Sequence, residues 1–296
     1  MTEGLTVTVQ NYNTFNELDK SLFARYYLGY PYCLEKVSSF LLEPESLKQA
    51  IAEIKELGLE SYLVTPPIMQ SDDFNLLEKL IEEAVECGLD GVEVNDVGML
   101  DFIKKWPSLK ISAGHFINIY HSSAAKEYER DGVTTIIPNS ELTLDELTEI
   151  SGQVESDTEI VVYGNLALGF AYDCLLKNAY QSECQQQCNK PHILVKNGFR
   201  MRSIGRANVT AADFCLLEQV EKLKNIKSCF WRLEMYQDSA QKINKVANIF
   251  KNCMNGEEAS KYLKELEGLA DYGLCNGWFF GKTGHDYVAS KQEVKS

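Results

Sequence analysis

At 296 residues the chain is long for one ordinary domain but normal for an α/β barrel, which commonly runs to about 250 residues, and 45% hydrophobic residues supply a sizeable core. Twenty-nine basic side chains against 43 acidic ones leave a net charge of −14, without the basic stripe that phosphate contacts demand of a duplex or tRNA binder. The apolar runs are strand-sized, not membrane-spanning, and the opening MTEGLTVTVQ lacks a basic-then-apolar leader, so no membrane span is expected and the expected compartment is the cytoplasm.

Eight β-branched or aromatic runs follow one another along the chain. They are LTVTVQ (5–10), ARYYLG (24–29), SYLVTP (61–66), GVEVND (91–96), KISAGH (110–115), TTIIPN (134–139), EIVVYG (159–164) and CFWRLE (229–234). Helical patterns with apolar residues at three- and four-residue spacing lie between them, such as SLKQAIAEIKELG and FNLLEKLIEEAVECG. The second ends on Gly88, a C-cap candidate, while Thr143 and Glu146 stand in capping-box spacing after the sixth run. Near-continuous apolar strands alternating with helices imply a parallel sheet covered by helices, and eight repeats imply closure into a (β/α)8 TIM-like barrel. An open doubly wound sheet is the alternative.

One interval breaks the rhythm. Sixty-four residues (165–228) separate the seventh run from the eighth, and much of the excess is the Cys-rich stretch 170–206. An insertion of that length between βα elements is usually functional. The expected organisation is a barrel over 1–256 that includes this insertion, followed by a helix (EEASKYLKELEGLA) and a Gly/aromatic tail packed on the barrel over 257–296.

Nine cysteines in a cytosolic chain are not expected to form disulfides. Cys87, Cys215 and Cys253 sit within or beside amphipathic helical stretches and read as packed apolar residues. Cys33 lies four residues past the second strand, and Cys174, Cys184 and Cys188 follow the seventh. In a barrel all four fall on the C-terminal face, where active sites are built. Cys-x9-Cys-x3-Cys with a remote fourth thiolate suits an iron-sulfur site. Four thiolates also suit zinc, although the paired Cys-x2-Cys knuckles usual for zinc are absent, and unliganded thiols remain a third reading. Cys229 is an alternative fourth ligand at the opposite end of the barrel.

The strand ends place further polar groups on the same face: Glu93, Asn95 and Asp96; His115 and Asn118; Asn139; Tyr163 and Asn165; Arg232 and Glu234. His115 is the expected general acid/base because its ordinary pKa lies near neutrality, with Glu234, Asn118 and Asp96 as catalytic companions. Asp96 equally reads as the cap of the helix beginning GMLDF. Arg232, Arg200, Arg202, Asn165 and Tyr163 are the expected substrate-binding residues. Arg206 joins Arg200 and Arg202 in a cluster of fork-shaped donors suited to a dicarboxylate. No Ser-His-Asp or His-Glu-x-x-His pattern appears, so the sequence offers no visible peptidase machinery.

The blocks VEVNDVGML, SAGHFINIYHSSAAKEYERDG, IIPNSELTLDEL and IVVYGNLALGFAYDC, with the closing NGWFFGKTGHDY, resemble the collagenase-like peptidase family numbered thirty-two among those of unassigned mechanism. The likeness runs over nearly the whole chain. Its UbiV-like branch is the most similar: YLGYPYC at Cys33, YGNLALGFAYDC at Cys174 and ECQQQC at Cys184 and Cys188 follow that branch's cysteine pattern. The resemblance implies a [4Fe-4S] cluster on those four cysteines. It also implies oxygen-independent hydroxylation in ubiquinone-like biosynthesis, a UbiU-like paralogue as heterodimer partner, and prephenate as oxygen donor. Other branches hydroxylate tRNA or ribosomal RNA. The family's Lys-Ile-Glu-Gly-Arg block is replaced here by Arg232-Leu-Glu234-Met235, and the Cys174–Cys184 spacing is short for the UbiV-like pattern.

Overall fold

A computed structural model describes residues 2–32, 40, 43–181, 183–184, 187–190, 192–227 and 229–289. Eight parallel strands form the centre: β1 (Thr2–Val9), β2 (Arg25–Leu28), β3 (Glu60–Val64), β4 (Gly91–Val94), β5 (Lys110–Ala113), β6 (Val133–Ile136), β7 (Asp157–Gly164) and, far along the chain, β13 (Cys229–Glu234). They pair in that order, and β13 closes the ring by pairing with both β7 and β1. The arrangement is the (β/α)8 barrel expected from the eight runs, not an open sheet.

Helices α1 (Tyr12–Glu17), α2 (Pro44–Glu56), α3 (Ser71–Glu86), α4 (Gly98–Ile103), α5 (Ser122–Arg130), α6 (Leu144–Gln153) and α9 (Ala240–Met254) alternate with the strands. Their apolar faces join the outward strand residues in one continuous core; Leu77, Leu80, Ile81 and Ala84 on α3 are all buried there. The local stop and start signals act as their chemistry demands. Gly88 ends the α3 turn with φ +94° and donates to Val85 O, and Thr143 and Glu146 form a reciprocal capping box.

Between β7 and β13 the chain builds a separate four-stranded antiparallel sheet from β8 (Ala167–Phe170), β9 (Ile193–Lys196), β10 (Phe199–Ile204) and β11 (Ala207–Thr210), ordered β8-β11-β10-β9. Helix α7 (Leu175–Tyr180) lies within it, and helix α8 (Val220–Leu223) follows it. The insertion is therefore folded from residue 167, slightly earlier than the Cys-rich stretch alone suggests. A short strand β12 (Asp213–Cys215) runs antiparallel to β7 and receives β14 (Leu274–Cys275) from the tail. Cys215 thus ends a strand, two residues before a 3-10 turn (Leu217–Gln219) that leads into α8. The predicted C-terminal helix is split into a short 3-10 turn (Ala259–Lys261) and α10 (Leu263–Leu269); beyond it Phe279 enters the main core. Among the described residues no helix is long and apolar enough to cross a membrane.

Candidate active site at the barrel mouth

Barrel interiors are usually layers of branched apolar side chains. Here the inward positions carry charge. Arg232 on β13, fully buried, donates from Nε to Glu234 at 2.6 Å, from Nη1 to Glu93, and from Nη2 to the Tyr236 hydroxyl at 3.2 Å; its guanidinium lies 4.2 Å from the Tyr27 ring centre. Glu159 on β7 stands 3.6 Å from the same Arg232 and accepts from Thr6 (2.8 Å), Tyr27 (2.7 Å) and Arg25 (3.3 Å). Arg25 continues to Glu60 at 2.8 Å on the opposite rim. An unpaired buried charge is costly, so each group in this chain requires its neighbours.

The balance of charges sets one protonation state. Three fully enclosed carboxylates (Glu93, Glu159, Glu234) face two guanidiniums, one of which also serves Glu60. Burial pushes the Glu234 carboxyl up to about 7, against the attraction of Arg232 and with the help of Glu93 and Glu159. Burial raises Glu159 as well, opposed by both arginines. Glu234 Oε1 has no hydrogen-bond partner among the described residues. It is the group in this network best placed to gain and lose a proton near neutrality.

Glu234 opens onto a narrow cleft whose other walls include Asn165, Arg202, Ile204, Tyr32 and Tyr236. Arg202 donates to Asn165 Oδ1 at 3.5 Å, and its Nε has no partner among the described residues. Asn165 is held in turn by Asp213, which accepts from Asn165 Nδ2 (2.9 Å), Tyr163 (2.8 Å) and Lys242 (2.9 Å). Gly164 makes the close strand crossing possible: its φ is +126°, and a Cβ there would lie 2.0 Å from Glu234 O.

Of the residues expected at this face, Glu234, Arg202 and Asn165 meet at the cleft, with Arg232 directly beneath Glu234. Glu93 joins Arg232 in the network below, with Asn95 donating to it at 2.8 Å, and the others lie elsewhere. The β13–β7 register slips between Arg232 and Leu233, so Tyr163 points outward beside Leu233 and packs 6.2 Å from Phe250 instead of lining the interior. His115 is buried with its ring against Phe116, and burial together with the Arg232 charge lowers its pKa to about 3. The near-neutral pKa expected of it is corrected: the imidazole is neutral, and the carboxyl that titrates near neutrality is Glu234. Asp96 accepts from Gly98 N at 2.8 Å, its alternative reading as a turn cap. Asn118 is exposed with a left-handed φ of 64°, and Asn139 caps the turn at Glu141. Arg200 is exposed on β10 and faces a different cavity. Arg25, Tyr27 and Glu159 were not singled out from sequence. The available signal was a charged residue inside an otherwise apolar parallel strand.

Cys33 lies outside the described residues. Cys174 is half-buried, with its sulfur accepting from Lys177 N at 3.5 Å; Cys184 is exposed and Cys188 buried. Among the described residues no three His, Cys, Asp or Glu side chains are gathered as metal donors. The segments that carry the thiols do meet. Tyr32, next to Cys33 in sequence, stacks on Phe170, four residues before Cys174, with ring centres 5.8 Å apart. Gln237 donates to both Tyr30 Oη and Cys188 O at 3.2 Å. Cys229 is fully buried at the first position of β13, the end remote from the mouth. The insertion also concentrates positive charge: Lys177, Lys190, Lys196, Arg200, Arg202 and Arg206 against Glu183 alone over residues 174–210.

The sequence profile described as Peptidase family U32 matches residues 11–289. A stretch of 170 residues is 26% identical to the tRNA hydroxylation protein P of Escherichia coli (strain K12), covering 55% of this chain and 38% of that protein. A stretch of 162 residues is 24% identical to the 23S rRNA 5-hydroxycytidine C2501 synthase of the same organism, covering 53% of this chain and 24% of that one. The chain thus spans well under half the length of these curated relatives. A solved structure described as a U32 peptidase aligns at 14% identity over 79% of this chain and 93% of its own, with a TM-score of 0.48.

Proposed function

Because the chain belongs to peptidase family U32, we propose that it is the cluster-bearing subunit of an oxygen-independent hydroxylase, not a peptidase. The observation that carries this reading is the mouth cleft. It joins a carboxyl titrating near neutrality to a guanidinium, with one carboxyl oxygen and the guanidinium Nε both unpaired among the described residues, beneath a thiol-bearing insertion. Two relatives named for hydroxylation of different RNAs support hydroxylation as the shared chemistry.

In this reading Glu234 donates a proton to, or after ionisation accepts one from, a group bound in the cleft. Arg232 holds Glu234 in place and limits the rise in its proton affinity that burial causes. Arg202, steadied by Asn165, takes the carboxylate of a small oxygen donor of the prephenate class. Tyr32, stacked on Phe170, covers one side and limits water. Cys174, Cys184 and Cys188, with Cys33 as the fourth, are the proposed ligands of a [4Fe-4S] cluster, which supplies electron-transfer or Lewis-acid chemistry when bound. The all-thiol donor set and the converging flanks support that assignment.

Two acceptors follow from two observations. The basic insertion on an acidic body favours an RNA base, and the cysteine pattern favours a ubiquinone-like precursor with a UbiU-like paralogue as partner. Anaerobic purification tests the common core: iron and acid-labile sulfide near four per chain, with broad visible absorbance, are expected. A colourless, iron-free protein after anaerobic reconstitution would remove the cluster from this proposal. Salt-sensitive tRNA binding lost in Arg206→Glu would select RNA; co-purification with a paralogue and no RNA retention would select the quinone precursor.

A further inference from the structure

A second cavity, of about 240 Å3, lies between the insertion sheet and the C-terminal segment. One wall comes from β8 and β10 through Leu168 and Phe199, and the other from Ala212, Trp278 and the turn at His285. That volume suits a ligand at the small end of small-molecule sites, which are mostly apolar with a few placed polar groups. Nothing in the mouth chemistry uses it.

We propose that this cavity binds an amphiphilic anion, a small apolar or aromatic body bearing one carboxylate or similar group. The aromatic walls of Phe199 and Trp278 give the body its surface, and water in so apolar a space lacks hydrogen-bonding partners. The charge comes from Arg200. Although the chain carries 43 acidic residues, Arg200 has no ion-pair or hydrogen-bond partner among the described residues. His285 packs edge-on to Phe199 with ring centres 5.5 Å apart and has Asp286 at 3.6 Å, which leaves Arg200 as the available cation. Arg200 and Arg202 stand two residues apart on β10, hence on the same face of that strand, one lining this cavity and the other the mouth cleft. A ligand here would seat the strand that presents Arg202.

The test is a fluorescence titration of the full chain with 1-anilinonaphthalene-8-sulfonate, followed by displacement with octanoate and with 1-octanol. Saturable binding is expected, with octanoate displacing the dye at concentrations at least about tenfold below 1-octanol. Arg200→Ala should weaken binding about tenfold, and Ala212→Leu, which fills the cavity, should weaken it further, both with unchanged circular dichroism. Equal binding by wild type and Arg200→Ala would overturn the proposal, even if Ala212→Leu failed to fold. So would loss of binding in Arg202→Ala with Arg200→Ala unaffected, which would place the dye in the mouth cleft. A dimer in sedimentation that dissociates in Ala212→Leu would assign the surface to a second copy of the chain instead.

Discussion

The barrel interior and the insertion both concentrate arginine, and they use it in opposite ways. Arg25 and Arg232 are enclosed, each bound by two or more carboxylates and stacked on tyrosine rings. Arg200, Arg202 and Arg206 stand on the insertion, and among the described residues none has a carboxylate within ion-pair distance. The enclosed pair fixes geometry, and Arg232 opposes the burial that raises the pKa of Glu234. The outer three keep their hydrogen-bonding capacity for ligands, so the same side chain serves as scaffold in one region and as receptor in the other.

That contrast can be broken first at Arg232. Arg232→Leu leaves three carboxylates short of a buried partner and should cost about 3–5 kcal/mol in urea unfolding, whereas Arg202→Leu should cost about 0.5 kcal/mol or less. Similar values for the two would erase the distinction. Gly164→Ala should come next, at roughly 2–3 kcal/mol, because the left-handed backbone and the contact with Glu234 O act together.

The protonation of Glu234 supplies a finer test. Its folded pKa, about 7, is above the ordinary carboxyl value. The folded state therefore binds the extra proton between those limits. Its contribution to stability is fully present below the ordinary value and is lost as pH rises through about 7. Glu234→Gln should flatten that decline and remove the matching titration from the pH–rate profile; an unchanged profile would assign the proton elsewhere. A small effect on stability is expected from Cys174→Ser, within about 1 kcal/mol because the thiol is only half-buried, together with loss of iron and sulfide from the purified protein. Retained iron would exclude Cys174 as a ligand.

The barrel was readable because its strands are apolar on both faces and recur eight times. All eight runs match strands to within a few residues, including CFWRLE across 64 intervening positions. The insertion sheet was not read from its composition, which is polar and cysteine-rich, yet a local signal was present. ILVK and FRMRSI flank Asn197-Gly198, both with positive φ (52° and 81°), the two-residue turn that favours a hairpin. At the site, strand ends identified Glu234, Arg232 and Asn165, since those positions follow from topology, and Arg202 stood out in the arginine cluster of the insertion. Tyr163 escaped because a one-residue register slip reverses the face of everything after it, and such a slip leaves no mark on hydrophobic pattern. The low pKa of His115 was equally out of reach, because it comes from Phe116 packing and from the charge of Arg232, 117 positions along the chain.

Closure by β13 also sets an order of events during synthesis. Its two neighbours, β1 and β7, are complete by Gly164, and β13 begins only at Cys229. At roughly 5–20 residues per second the ribosome needs about 3–13 s to make the intervening stretch. Through that interval the nascent sheet holds two unpaired edges, with Glu93 and Glu159 already in place and Arg232 not yet made. The insertion therefore acts as a timer on barrel closure. Slowing translation within it should lengthen the chaperone-bound lifetime of the nascent chain, while the same delay placed after Glu234 should not.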